Sequence, residues 1–242
     1  MMKKLLILAT VALFNLAATA QKHVYDDLLV LYVDENYDKC LMKAENYTLK
    51  DDTRRDPLPF LYMSMCFYEM SKLEKYQADY PKAARDAMKF AEKYRRKDKD
   101  LEFFHNYEDY WISLNTMAME EGENLMDDPK KMSRAKQVWN SMTVYYPENP
   151  GPWLMLALVK YKTNMAKEAD QHVQEFETRL DAVGDVSSLP QDQKKLLKNA
   201  LIRYADYMTE IGRRDEARRF IAMGKQYFMG EADYKGAYEA IN

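Results

Sequence analysis

Glycine is scarce in this 242-residue chain: there are 7, and none falls in a GxGxxG, GxxxxGK[ST] or GxSxG arrangement. Backbone loops that cradle a phosphate or present a serine nucleophile are therefore not encoded. Histidine is rarer still. His23, His105 and His172 stand far apart, and neither HExxH nor CxxC occurs, so neighbouring positions supply no metal-ligand cluster. An excess of bases is also lacking, because 36 Lys plus Arg face 39 Asp plus Glu. That balance removes the basic footprint of a nucleic-acid binder. Long apolar runs are missing after the first twenty residues, which excludes a spanning helix in the remainder. No cofactor and no metal are expected.

What is present points to a folded helical chain. Hydrophobic residues make up 47% and aromatics 13% of the sequence at a net charge of −3, a composition that excludes intrinsic disorder and suits one sizeable domain. At the front, Lys3 and Lys4 precede an apolar stretch from Leu5 to Leu16, and Ala18-Thr19-Ala20 forms a small-x-small site. Residues 1–20 thus read as a secretory signal peptide cleaved after Ala20. No cysteine follows for lipid attachment. The expected address is the periplasm or the cell exterior, without membrane insertion after cleavage, and residues 21–242 form the mature domain.

Such a compartment permits disulfides. If residues 50–56 turn between antiparallel helices, positions whose numbers sum to about 106 lie level, and Cys40 and Cys66 satisfy that sum. Two readings stand side by side: a staple across the first hairpins, or two separate small core thiols.

Periodicity at three and four residues recurs along the chain. Leu197, Leu201, Tyr204, Ala205, Met208 and Ile211 make one stripe, and residues 60–70, 103–114 and 153–161 make others. Asp56-Pro57, Asp128-Pro129 and Asn149-Pro150 place a capping acceptor before a proline, which marks helix starts. The segment Asp56-Pro57-Leu58-Pro59-Phe60-Leu61 matches Asn149-Pro150-Gly151-Pro152-Trp153-Leu154, and the match continues through Ser64 with Ala157 and Tyr68 with Tyr161. A repeated helix hairpin follows.

Counted from Pro150, Trp153, Leu156, Ala157, Ala169, Val173 and Phe176 fall where the tetratricopeptide repeat family has its large and small packing residues. Ala135, Trp139, Met142 and Pro147 fit the preceding unit, while Leu201, Tyr204, Ala205, Gly212, Ala217 and Ile221 fit the next. The chain resembles this family clearly over 129–228 and loosely over 23–128, where Cys40 and Ala84 stand at the close-contact position with irregular spacing. The resemblance implies an all-α, right-handed array of antiparallel helix hairpins, an α-solenoid of about ten helices. Tyr234, Ala237, Tyr238 and Ile241 form a final capping helix, which closes the last stacking face.

In tetratricopeptide repeats the first helix of each pair lines a concave groove. The matching positions here are Leu61, Met65, Tyr68, Leu154, Leu158 and Tyr161, with Arg203 from the next unit. The Lys, Asn and Arg of members that clamp a terminal carboxylate are absent. Adjacent acid pairs such as Asp26-Asp27 and Asp127-Asp128 sit at helix ends, where one solvated environment does not separate two pKa values for acid and base work. His105 and His172 are expected to be structural. The sequence therefore predicts a non-enzymatic scaffold or adaptor whose partner is another envelope protein or a peptide segment. The alternative is a ligand-binding module holding a peptide, a glycan or an apolar small molecule among its tyrosines.

Overall fold

The computed structural model describes residues 23–242. The leader expected at residues 1–20 lies outside them. Twelve α-helices and no strand occur among the described residues. In chain order they are α1 (Asp26–Val33), α2 (Tyr37–Leu49), α3 (Leu58–Lys72), α4 (Ala83–Lys97), α5 (Glu108–Met126), α6 (Met132–Tyr145), α7 (Gly151–Lys162), α8 (Ala166–Val183), α9 (Gln191–Glu210), α10 (Arg214–Met223), α11 (Lys225–Phe228) and α12 (Ala232–Ile241). None of them is long and apolar enough to cross a membrane.

Helices pack on their chain neighbours from α1 through α8 and again from α9 through α12, and further contacts join α4 with α6 and α7 with α9. Two helices are apolar all round, and both are central. From Pro59 to Phe67 every residue of α3 is buried, and α7 is buried at Leu154 through Val159. A helix with no polar face has to be enclosed by others. α4, α8 and α10 bury one stripe each and present charged faces to solvent.

Small residues mark the closest approaches. The Ser64 hydroxyl of α3 donates to the Ala87 carbonyl of α4 at 2.6 Å, and Ala157 and Ala169 are fully buried between α7 and α8. In the N-terminal half it is Ala83 and Ala87 that take this role, whereas Ala84 is only half-buried. Ala135, Trp139 and Met142 of α6, and Ala217 and Ile221 of α10, are core residues. At the C-terminal end α12 lies on α9 and α10, with Tyr234 completely covered. Lys198 of α9 ties this helix down through Glu231 and Asp233, both at 2.6 Å.

Helix starts differ in how they are capped. Asn149 Oδ1 accepts the Gly151 N–H at 3.2 Å. Asp128 accepts from Lys130 N–H at 2.9 Å and opens a short 3-10 turn before α6. Asp56 does not cap α3: its carboxylate accepts from the Tyr25 hydroxyl at 2.5 Å and lies 2.7 Å from His23 Nδ1.

The expected groove is not continuous, because α9 lies across both α5 and α7. A methyl group at Gly151 would meet Leu196 Cγ at 2.6 Å, which shows how closely α9 covers α7. Polar links seal the other side. Asn115 Nδ2 donates to Asp192 at 2.9 Å, Tyr145 donates to Asn115 Oδ1 at 2.9 Å, and Asn199 donates to Glu123 at 2.8 Å. Leu154 and Leu158 are consequently core side chains, as is Leu61 in α3.

Candidate functional site

The site begins with a buried carboxylate. Asp98, at the end of α4, is 3% exposed and gathers the Tyr94 hydroxyl, the Glu102 N–H at 2.8 Å and the Phe103 N–H at 3.2 Å. These bonds fold the residues after α4 into a fixed turn in which Leu101 takes φ +57°. Phe104 then stacks on Trp111 with ring centroids 4.7 Å apart, and Trp111 stacks on Tyr94 at 5.4 Å. The Trp111 indole N–H closes the loop on the Phe104 carbonyl at 2.9 Å. Residues 105–109 are thereby held out at the mouth of a cleft.

That cleft has a volume of about 530 Å³ and is bounded by Tyr32 of α1, Met65, Tyr68 and Glu69 of α3, and His105, Tyr107, Glu108, Asp109, Tyr110 and Ser113 at the start of α5. Volumes of this order hold small ligands or a few residues of a peptide. Tyr110 forms the floor. It shares a 2.6 Å hydrogen bond with Ser64 and meets Tyr68 edge to face at 5.8 Å. Burial raises the Tyr110 phenol well above its ordinary pKa, despite the opposing Ser64 bond. Burial and the nearby Glu69 charge raise Tyr32 as well. Both stay protonated at neutral pH and add no charge to the lining.

Acidity comes from the rim. Glu108 and Asp109 are exposed, and Glu69 binds Lys72 at 2.5 Å while the same ammonium lies 4.3 Å from the Tyr68 ring centre. His105, 3.7 Å from Glu108, lines the cleft beside these acids. It is exposed, not a core histidine. The lining thus combines aromatic faces, neutral hydroxyls and carboxylates, a set suited to cations and hydrogen-bond donors.

Of the residues singled out in the sequence, Met65 and Tyr68 line this cleft. Tyr161 lies elsewhere, 8% exposed, with its hydroxyl on Asp170 and the Arg213 guanidinium 5.3 Å from its ring centre. Arg203 is half-buried and bonded to Asp127 at 3.3 Å. Leu61, Leu154, Leu158 and Tyr161 therefore do not share a surface with Tyr68. Cys40 and Cys66 are both buried as free thiols. Sequence reasoning missed Tyr32, which α1 supplies, and Tyr107 and Tyr110, which a loop anchored by Asp98 brings to α3. The one available signal was the aromatic density of residues 103–111.

Among the described residues no three His, Cys, Asp or Glu side chains gather as metal ligands. Asp27 illustrates what the carboxylates do: it accepts from Tyr47 at 2.6 Å and pairs with Lys43 at 2.7 Å, tying α1 to α2. Burial works against its charge, but these partners together hold its pKa below the usual carboxylate value. No family model, no curated protein and no solved structure matches the chain.

Proposed function

We propose that the protein is a non-enzymatic interaction scaffold, a right-handed array of tetratricopeptide-like hairpins delivered by its leader to the periplasm or cell exterior. There it holds a basic segment of another envelope protein in the tyrosine cleft. The observation that carries this reading is the convergence of Tyr32, Tyr68, Tyr107 and Tyr110 with Glu69, Glu108 and Asp109 on one open cleft, where Lys72 gives an internal example of a cation paired with Glu69 over the Tyr68 ring. Tyrosines supply contact area and hydroxyl partners at low conformational entropy. An arginine or lysine side chain entering between them gains cation–π attraction and a carboxylate partner together. The hairpin repeat supports the scaffold architecture, because stacked pairs that bury one another leave their flanks free for partners.

Fluorescence anisotropy with labelled, extended peptides bearing Lys and Arg tests the reading. Tyr68→Ala should weaken binding about tenfold, as expected for loss of ~1.4 kcal/mol, and Glu108→Gln with Asp109→Asn should flatten its salt dependence. Tyr161→Phe should change nothing. Equal binding of acidic peptides, or indifference to Tyr68→Ala in a variant with unchanged circular dichroism, refutes it. The bounded volume of the cleft favours a second reading, a ligand-binding module for a glycan stacked on Tyr68. Oligosaccharide binding without peptide binding would select that one.

A further inference from the structure

We propose that Cys40 and Cys66 form an intramolecular disulfide in the mature protein, tying α2 to α3 behind the tyrosine cleft. The inference stands on these two side chains and is independent of what the cleft binds. α2 and α3 are antiparallel, joined by residues 50–57, and packed along one another. Both thiols are completely buried in this seam. The two thiols interact across the seam, which lowers the pKa of the Cys40 thiol and raises that of Cys66, and Cys40 Sγ donates to the Leu28 carbonyl of α1 at 3.5 Å. Ala44, one turn beyond Cys40 on the same face, is also fully buried. Cys40 and Ala44 thus put two small side chains one turn apart on the buried face of α2, which favours the close backbone approach that a disulfide requires. Two thiols scattered through a core would be mere small hydrophobes. Two thiols facing each other across a helix pair are one bond short of a cross-link.

The chemistry balances with an external disulfide as oxidant. The Cys40 thiolate attacks one sulfur of the oxidant and expels a thiolate. Cys66 then loses its proton and attacks Cys40 Sγ, expelling the second oxidant thiolate. Two electrons pass to the oxidant, which leaves as two thiols. Since neither sulfur is exposed in the folded chain, exchange takes place while α2 and α3 are docking.

The bond has a consequence for the cleft. Cys66 sits beside Met65 on α3, and Cys40 touches α1, which carries Tyr32. The bond anchors the α3 wall of the cleft to α2, at the loss of the Cys40 proton that the Leu28 carbonyl accepts.

Refolding the full mature chain with oxidised glutathione, followed by denaturation and alkylation, decides the matter by intact mass. No carbamidomethyl group should add without reductant, and two should add after reduction. Reduction should also lower the melting temperature by roughly 10 °C, and Cys40→Ser and Cys66→Ser should abolish that dependence. Two labels without reductant at every glutathione ratio, or a disulfide-linked dimer, overturns the proposal. If either serine variant fails to fold, the labelling of the unaltered chain still decides.

Discussion

Gly122→Ala pits two opposing effects against each other at the α5–α6 seam. On propensity alone, alanine inside a helix is favoured over glycine by about 1 kcal/mol. At this position, however, the added methyl would lie 2.4 Å from Trp139 Cζ2, 2.7 Å from Cε2 and 2.8 Å from Cη2. Relief requires the indole to move by roughly 1 Å, the shortfall from ordinary van der Waals contact. Trp139 has nowhere to go, since it is fully buried and its indole N–H rests on Met126 Sδ at 3.1 Å. Overpacking of this kind costs about 1–3 kcal/mol, and displacing the indole from its sulfur partner adds to it. The net expectation is a loss of about 1–2 kcal/mol, read as a fall of roughly 3–8 °C in melting temperature for a chain of this size. Gly236, exposed on α12 with nothing within 4 Å of a methyl group, is the matched control: Gly236→Ala should stabilise by a few tenths to 1 kcal/mol. Calorimetric melts of both variants and of Gly122→Ala combined with Trp139→Leu complete the test, because the smaller side chain should make the alanine neutral. Equal stabilisation by Gly122→Ala and Gly236→Ala would falsify the close approach of the two helices.

Two further outcomes concern α9. Burial raises the Asp192 carboxyl above its ordinary pKa, with the Asn115 hydrogen bond opposing. The native state therefore binds more protons than the unfolded chain, and this contribution to stability is present below the unfolded pKa and is lost as pH rises through the raised native value. Asp192→Asn should flatten the decline in urea midpoint from pH 4 upwards and raise the midpoint at pH 7; identical slopes for both proteins would refute the assignment. Lys198 is a different case: burial disfavours its charge, but the hydrogen bonds it donates to Asp233 and Glu231 outweigh it and raise its pKa. Because those two carboxylates are half-exposed, with side-chain exposures of 55% and 51%, Lys198→Met should weaken the docking of α12 by only about 1 kcal/mol. Hydrogen exchange of residues 232–241 should accelerate about fivefold, and unchanged protection there would show that Tyr234 holds the helix alone.

The helices were legible where a stripe or an all-apolar run set the period, as in α3, α7 and α9. Proline placed α3 and α7 within a residue or two, since it tolerates only a helix's first turn. Asp56 misled because a side-chain acceptor is not bound to its own helix when a phenol from another element competes for it. Leu154 and Leu158 are core side chains for a tertiary reason. Family positions specify which face of a helix points inward, but whether that face meets solvent depends on α9, which crosses α7 only because Gly151 leaves room for Leu196. Tyr68 and Met65 were legible as the inward face of α3. Tyr107 and Tyr110 were not, because their placement depends on Asp98, which the sequence shows only as one acid within a run of bases.

The three indoles occupy three different surroundings, two completely buried and one half-buried, and that gives the molecule built-in optical reporters. Trp111 lies in the aromatic stack that fixes the cleft's rim, Trp139 marks the seam between α5 and α6, and Trp153 sits near the surface with the His172 ring 5.7 Å away. Near-ultraviolet dichroism of the first should respond to anything that shifts the loop bearing His105, while emission from the last should dim as imidazole gains a proton. Occupancy at one end and titration at the other can thus be followed in the unlabelled chain, each by its own chromophore.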